Sequence, residues 1–344
     1  MAVFNRPSRP LAGSFGIYKM SKNFYIFGAG FTKSIFDYAP LNDQLVNALL
    51  DLNPSSPLKS LSEKYGTQDI ELLLTKLDID IQQGQHESEL RICINTELAE
   101  YFQQFRFKSA ILNNKKWLEE FALNIFHKND VILNLNYECF LEGLLDYLEI
   151  WNPNQGYGTI ENMLVGEENI NTNNIQILKI HGSENFTLQN YFDKPECASL
   201  SFEFNKQIFP KSAAHSFLGP RSIPMHSSNK NSAKPYIIAP SYVKIPTVEI
   251  SYLMLDAMEA IQKSKNVIVV GCGLRPEDSF LWLLLTRFLR HPEWKKRKII
   301  IISPEANSLG TRIKQYWGVN VNDSVVEIPS KLEDAIEQLI ELTQ

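Results

Sequence analysis

Cysteine is scarce in this 344-residue sequence, with four residues at 93, 139, 197 and 272 and no C-x-x-C pair among them. That spacing excludes a zinc ribbon and offers no disulfide framework, so reduced thiols in a cytoplasmic setting are expected. Long apolar runs are lacking as well: FLWLLL at 280–285 falls far short of the roughly 20 residues that span a bilayer. Residues 1–22 contain Arg, Pro and Gly but no apolar core. They therefore read as a loose extension rather than a secretory signal, with Met20 as an alternative start. Basic charge is in no surplus either. With a net charge of −5, neither direct nucleic-acid binding nor attraction to a membrane is expected. The one basic run, WKKRK at 294–298, reads as a solvated helix end.

What is present is ordinary globular composition, 44% hydrophobic and 21% charged, in a chain long enough for one large domain. Six short apolar runs punctuate it: FYIF (24–27), VILNL (131–135), IQILKI (175–180), YIIA (236–239), NVIVVG (266–271) and KIIIIS (298–303). They are nearly all apolar rather than alternating, the mark of strands covered on both faces. Helical stretches lie between several of them, so the fold class is α/β, a Rossmann-like, doubly wound, mostly parallel sheet of about six strands. Residues 41–128 interrupt the alternation with apolar stripes at helical spacing, such as Ile70, Leu73, Leu74, Leu77 and Ile81, and read as an inserted helical module. The polar stretches 152–175 and 183–233 read as long loops, the latter as a candidate lid.

In such a sheet, ligands bind beyond the carboxyl ends of the strands. The first run opens into GAGFTKS (28–34), which completes neither the dinucleotide nor the P-loop fingerprint, since Lys33 and Thr32 stand where each would need glycine. Gly28 and Gly30 would still let backbone amides approach a pyrophosphate, with Thr32 adding a hydroxyl. The competing reading is a tight strand–helix turn with no ligand. After the second run come Asn134, Asn136, Tyr137 and Glu138, and after the third His181, Gly182 and Ser183. The fourth delivers Pro240 and Ser241, the fifth Gly271, Cys272 and Gly273, and the sixth Ser303, Pro304, Glu305 and Asn307. Small and polar residues at every strand end describe a nucleotide-sized polar rim. His181 alone among six histidines stands at a strand terminus, although a structural histidine is as good a reading, and no second ligand stands at metal spacing. Asn136 could cap the next helix or position a water or a ribose hydroxyl.

In order, FGAGFTKS, NLNYE, LKIHGS, IIAPS, VVGCGLRPED and IIIISPEAN resemble the serial motifs of the sirtuin (silent information regulator) superfamily. The closer resemblance is to its bacterial NAD-hydrolysing branch, often found in anti-phage defence. PLNDQL at 40–45 adds to it. The resemblance implies NAD+ as substrate, lying across the strand ends. Gly28, Ala29, Gly30, Phe31 and Thr32 match the pyrophosphate loop. Asn136 matches the residue that positions the nucleophile at the nicotinamide ribose, and His181 the ribose-contacting base. Glu138 stands where the family usually has Asp, with Gly182 and Ser183 beside His181. Gly271, Gly273, Ser303 and Asn307 match positions around the adenosine half. The four-cysteine zinc site of protein-deacylating sirtuins is absent from the sequence, so no zinc is expected. The resemblance further implies gating by self-assembly into a homo-oligomer or by a separate activating protein.

The implied chemistry suits these residues. Cleavage at C1′ passes through an oxocarbenium-like state with a leaving group that needs no acid, so the protein must orient one water and exclude the rest. Three other readings remain: a sirtuin-type deacylase or ADP-ribosyltransferase, a non-catalytic NAD-sensing subunit, and a dehydrogenase. For the last, the third glycine is missing and Asp51 falls in a helical stretch.

Overall fold

The computed structural model describes residues 23–86, 88–152, 157, 175–190, 198–204, 207–210, 233–238, 248–276 and 278–343. The extension 1–22, Pro240, Ser241, His215 and His226 lie outside the described residues.

Two sheets organise the molecule. In the first, strands β1 (Asn23–Phe27), β2 (Val131–Asn134), β3 (Gln176–Leu178), β8 (Asn266–Val270), β9 (Lys298–Ile302) and β10 (Val325–Ile328) pair in parallel in the order β10-β9-β8-β1-β2-β3. This is a Rossmann-like doubly wound sheet. Every residue of β1, β2 and β8 is buried, which is why these runs are apolar without alternation. Helices Ala29–Ile35, Trp117–Ile125 and Leu332–Thr343 pack together, and Val248–Lys263 packs on Ser279–Leu289 in a second layer. The chain runs outward from β1 through β2 to β3, then returns to place β8 on the other flank of β1. The strand order therefore reverses between β1 and β8, the place where such sheets open a crevice.

The second sheet is antiparallel: β4 (Gly182–Asn190), β5 (Ala198–Phe204), β6 (Gln207–Pro210) and β7 (Ala233–Ile237) pair in the order β6-β5-β4-β7. Two expectations need correction here. The stretch 183–233, read as a loop, contributes β4, β5 and β6; Phe186 and Leu188 stand at alternate positions of the sequence there, too short a pattern to stand out among polar residues. The run 236–239 is not a strand of the parallel sheet; its first two residues belong to β7. The sixth parallel strand is VVEI, an edge strand with half-buried centre, which leaves no continuous apolar run to notice.

Between β1 and β2, helices Asn42–Leu52, Leu58–Tyr65, Ile70–Gln82 and Ser88–Phe102 build a second core around Leu45, Leu73, Leu77, Leu98 and Phe105. Ile237 of β7 belongs to that core. Arg91 reaches Ile237 O (3.1 Å) and Asn95 reaches Pro235 O (3.2 Å), which seats the helices on the antiparallel sheet. Among the described residues, no helix is long and apolar enough to cross a membrane.

Candidate active site

The turns that end β1 and β8 cross at van der Waals limits. A Cβ on Gly28 would lie 2.7 Å from Cys272 Cα, and one on Gly30 would lie 2.8 Å from Gly271 Cα. Gly271 has φ +57, and a Cβ there would meet Phe31 N at 2.3 Å. The crossing is also hydrogen-bonded: Gly28 N donates to Val270 O (3.1 Å), Gly30 N to Gly271 O (2.8 Å) and Phe31 N to Gly28 O (2.9 Å). The space that glycine leaves is filled by the neighbouring turn, and the amides of Gly28, Gly30 and Phe31 serve protein carbonyls. The amide of Ala29 has no protein acceptor among the described residues. Phe31 is likewise a core residue, its ring packed edge-on against Phe27 at 4.7 Å.

Asn136, in the turn after β2, is fixed by its surroundings. Its Nδ2 donates to Gly28 O (3.1 Å) and to Thr32 Oγ1 (3.1 Å), and its backbone N donates to Asn134 Oδ1 (3.2 Å). Because a carbonyl can only accept, the amide orientation is determined, and Oδ1 is left as an acceptor engaged by no described residue. Thr32 Oγ1 in turn donates to Glu138 Oε1 at 2.6 Å. The Thr32 hydroxyl thus stands between Glu138, to which it donates, and Asn136, from which it accepts. Glu138 is buried, and that burial raises its pKa against the opposing pull of Lys179 and the Thr32 bond. Lys179, fully buried at the end of β3, donates to Glu138 O (2.7 Å) and makes a 3.0 Å charge contact with Glu142, which is also fully buried. Burial acts most strongly, to lower the Lys179 pKa, but Glu142, Cys139 and Glu138 together outweigh it and the ammonium is held above its ordinary range.

His181 follows β3 and is 2% exposed. Its Nε2 lies 3.5 Å from Asp278 Oδ2, while its carbonyl accepts from Ile238 N at 2.9 Å. Asp278 sits in the loop after β8. That loop is propped by Arg312, whose guanidinium donates to Gly273 O and Leu274 O at 3.0 Å each. Arg275, in the same loop, pairs with Asp69 (2.6 Å) and Glu71 (3.4 Å) of the inserted helices.

A cavity of about 850 Å³ opens over these strand ends. Asn136, His181, Glu138 and the loop 28–32 line it, as do Gly271, Gly273 and Ser303. Three expected contacts do not. Gly182 has φ +74 and admits the close approach of Tyr236 O, and Ser183 is buried and donates to Tyr137 O (3.0 Å). Asn307 is exposed on the first turn of helix Ala306–Trp317. Cys272 reaches the cavity, but burial pushes its thiol up to about 12, which favours the neutral thiol over the thiolate.

No protein-family model and no curated protein matches this chain. Solved structures do: a point mutant of a Sir2 homologue in complex with ADP-ribose is 13% identical with a TM-score of 0.41, covering 94% of this chain and 92% of the other. A Sir2 homologue–NAD complex gives 12%, 0.38, 94% and 90%, and a triple mutant with 2′-O-acetyl-ADP-ribose gives 11%, 0.37, 94% and 91%. In structure, the chain is similar to Sir2 homologues. Sequence reasoning missed Asp278, Lys179 and Glu142. Two signals were there: a lysine within an otherwise apolar strand run demands a buried partner, and an aspartate precedes an apolar helix at a strand's exit.

Proposed function

We propose that this protein is an NAD+ glycohydrolase that releases nicotinamide and ADP-ribose, a hydrolase whose activity is gated and which serves anti-phage defence by depleting NAD+. One observation carries the reading. An oriented Asn136 carboxamide and the His181–Asp278 pair line one cavity at the point where the strand order reverses. At about 850 Å³ that cavity is within the range of small-molecule and cofactor sites.

On this reading, the nicotinamide ribose lies beside Asn136 and His181. The glycosidic C1′–N bond breaks, and its electron pair passes to nicotinamide, which leaves neutral. Positive charge develops on the ribose, and the carboxylate of Asp278 supplies a negative potential to meet it. Asn136 Oδ1 accepts a hydrogen bond from the attacking water, and His181 takes its proton. The amide of Ala29 and the strand-end turns hold the rest of the dinucleotide. The reaction needs no metal. Gating would come from a homo-oligomer or from a separate activating protein.

The test is nicotinamide and ADP-ribose release by the full chain beside Asn136→Ala and His181→Ala, with NAD+ binding measured in parallel. Each variant is expected to lose about 100-fold or more in rate while binding NAD+ within a few-fold. Full activity in both variants, or a chain that neither binds nor cleaves NAD+, would refute the assignment. Transfer of the ADP-ribosyl or acyl group to a protein acceptor without free ADP-ribose would favour the sirtuin-type transferase.

A further inference from the structure

We propose that Asp278 is the positioning residue for His181: its carboxylate sets the tautomer of the imidazole and supports the imidazolium formed when the ring takes a proton from water. The chemical step rests on the hydrolase reading; the choice of residue rests on geometry. Asp278 occupies the N-cap of helix Ser279–Leu289, where an aspartate ordinarily accepts from the amides of the first turn. Here its side chain makes no capping bond. Its carboxylate instead lies 3.5 Å from His181 Nε2, with the two side chains 6% and 3% exposed. An aspartate that forgoes its customary helix amides for an imidazole at the wall of a cavity is serving the imidazole.

The backbone on both sides is anchored. Asp278 N donates to Arg275 O (3.1 Å), which also accepts from Trp282 Nε1 (3.0 Å). His181 O is held by Ile238 N at 2.9 Å. Among the described residues, other ionisable groups near His181 in the cavity or the sequence are Tyr137, Glu138, Glu71 and Arg275, which line the cavity with it, and Lys179 and Glu184 on either side of it in sequence; Asp69 pairs with Arg275. Lys179 has Glu142, Arg275 has Asp69 and Glu71, and Glu184 has Arg106. Glu138 takes the Thr32 hydroxyl. The carboxylate of Asp278 lies against His181 Nε2 at 3.5 Å. With Nε2–H turned to Asp278, Nδ1 carries the lone pair. When water adds to C1′, one O–H bond breaks and its proton goes to Nδ1, the water oxygen bonds to C1′, and Asp278 stays ionised throughout.

The test compares the full chain with Asp278→Asn and Asp278→Glu, following the His181 imidazole titration by NMR and nicotinamide release across pH. His181→Ala identifies the resonance. In Asp278→Asn the titration midpoint is expected to fall by about one pH unit or more, since an opposite charge favouring the imidazolium is gone. The acidic limb of the rate profile should move down with it, and kcat should drop about tenfold or more with KM within twofold. Asp278→Glu should keep part of both. Added to His181→Ala, Asp278→Asn should cause no further loss. Because no helix cap is removed, these variants are expected to fold. An unmoved His181 titration, or a loss that persists in full without His181, would overturn the proposal. A chain that releases no nicotinamide yet shows the midpoint fall would refute the hydrolase and leave the positioning role standing.

Discussion

Gly271 shows how little room the site leaves for change. Its φ of +57 and the 2.3 Å approach a Cβ would make to Phe31 N mean that even a methyl group must separate the turns ending β1 and β8. Gly271→Ala is expected to cost on the order of 2–4 kcal/mol, read from the denaturant midpoint; a loss below about 1 kcal/mol would show that the crossing yields easily. The glycines of GAGF were legible in the sequence, but the turn packed against them was not, because a Cβ-free surface is the same requirement whether a phosphate or a polypeptide turn lies against it. Thr32 teaches the same lesson through hydrogen bonds. It donates to Glu138 and accepts from Asn136. Thr32→Val should therefore reduce nicotinamide release about tenfold or more and destabilise the protein by roughly 1–3 kcal/mol, whereas Thr32→Ser should retain most of both. Equal activity in the two variants would separate Asn136 from its supposed support.

At the scale of elements, β3 carries an unusual burden for a three-residue strand. The lysine just beyond it is fully buried against Glu142, and removal of one member of such a pair leaves an uncompensated charge. Lys179→Met is expected to cost about 3–5 kcal/mol, and the double variant Lys179→Met with Glu142→Leu to recover most of it in chemical denaturation. Failure of the double variant to recover would place the role of Lys179 with the Glu138 carbonyl instead. Strands β1, β2, β8 and β9 were plain in the sequence because burial on both faces leaves no polar residue to break the run. The edge strand β10 and the antiparallel strands β4 to β6 were not. The centre of β10 is half-buried, and strands of four to nine residues of mixed apolar and polar sequence carry no continuous apolar run to stand out. Asp278 was hidden differently: its neighbours Gly271 and Gly273 drew the reading, and pairing with His181 across about a hundred positions leaves no trace in local pattern.

For the molecule as a whole, the starting edge of the parallel sheet holds a pH-sensitive group. Asp130 is fully buried and accepts from Asn23 N, His127 N and the Tyr25 hydroxyl. Burial pushes its pKa up to about 6 in spite of those bonds. Since the folded carboxyl holds its proton more tightly than the unfolded one, its favourable contribution is present below about pH 4 and is lost as pH rises through about 6. Asp130→Asn removes that slope. Unfolding free energies of variant and wild type, measured at pH 4.5 and 7, should diverge in the variant's favour by roughly 2 kcal/mol, and parallel curves would place the Asp130 pKa in the ordinary range. On the same edge, Asn266 Nδ2 reaches Asn23 Oδ1 at 2.9 Å across 243 positions of sequence. Strand β1 therefore lacks one of its two neighbours until β8, 243 positions further on, has been made, and the cavity wall supplied by residues 271–275 and Asp278 arrives as late. Such distant pairing makes for slow assembly. On the hydrolase reading, it also means that no nascent chain can consume the dinucleotide of the cell that is making it.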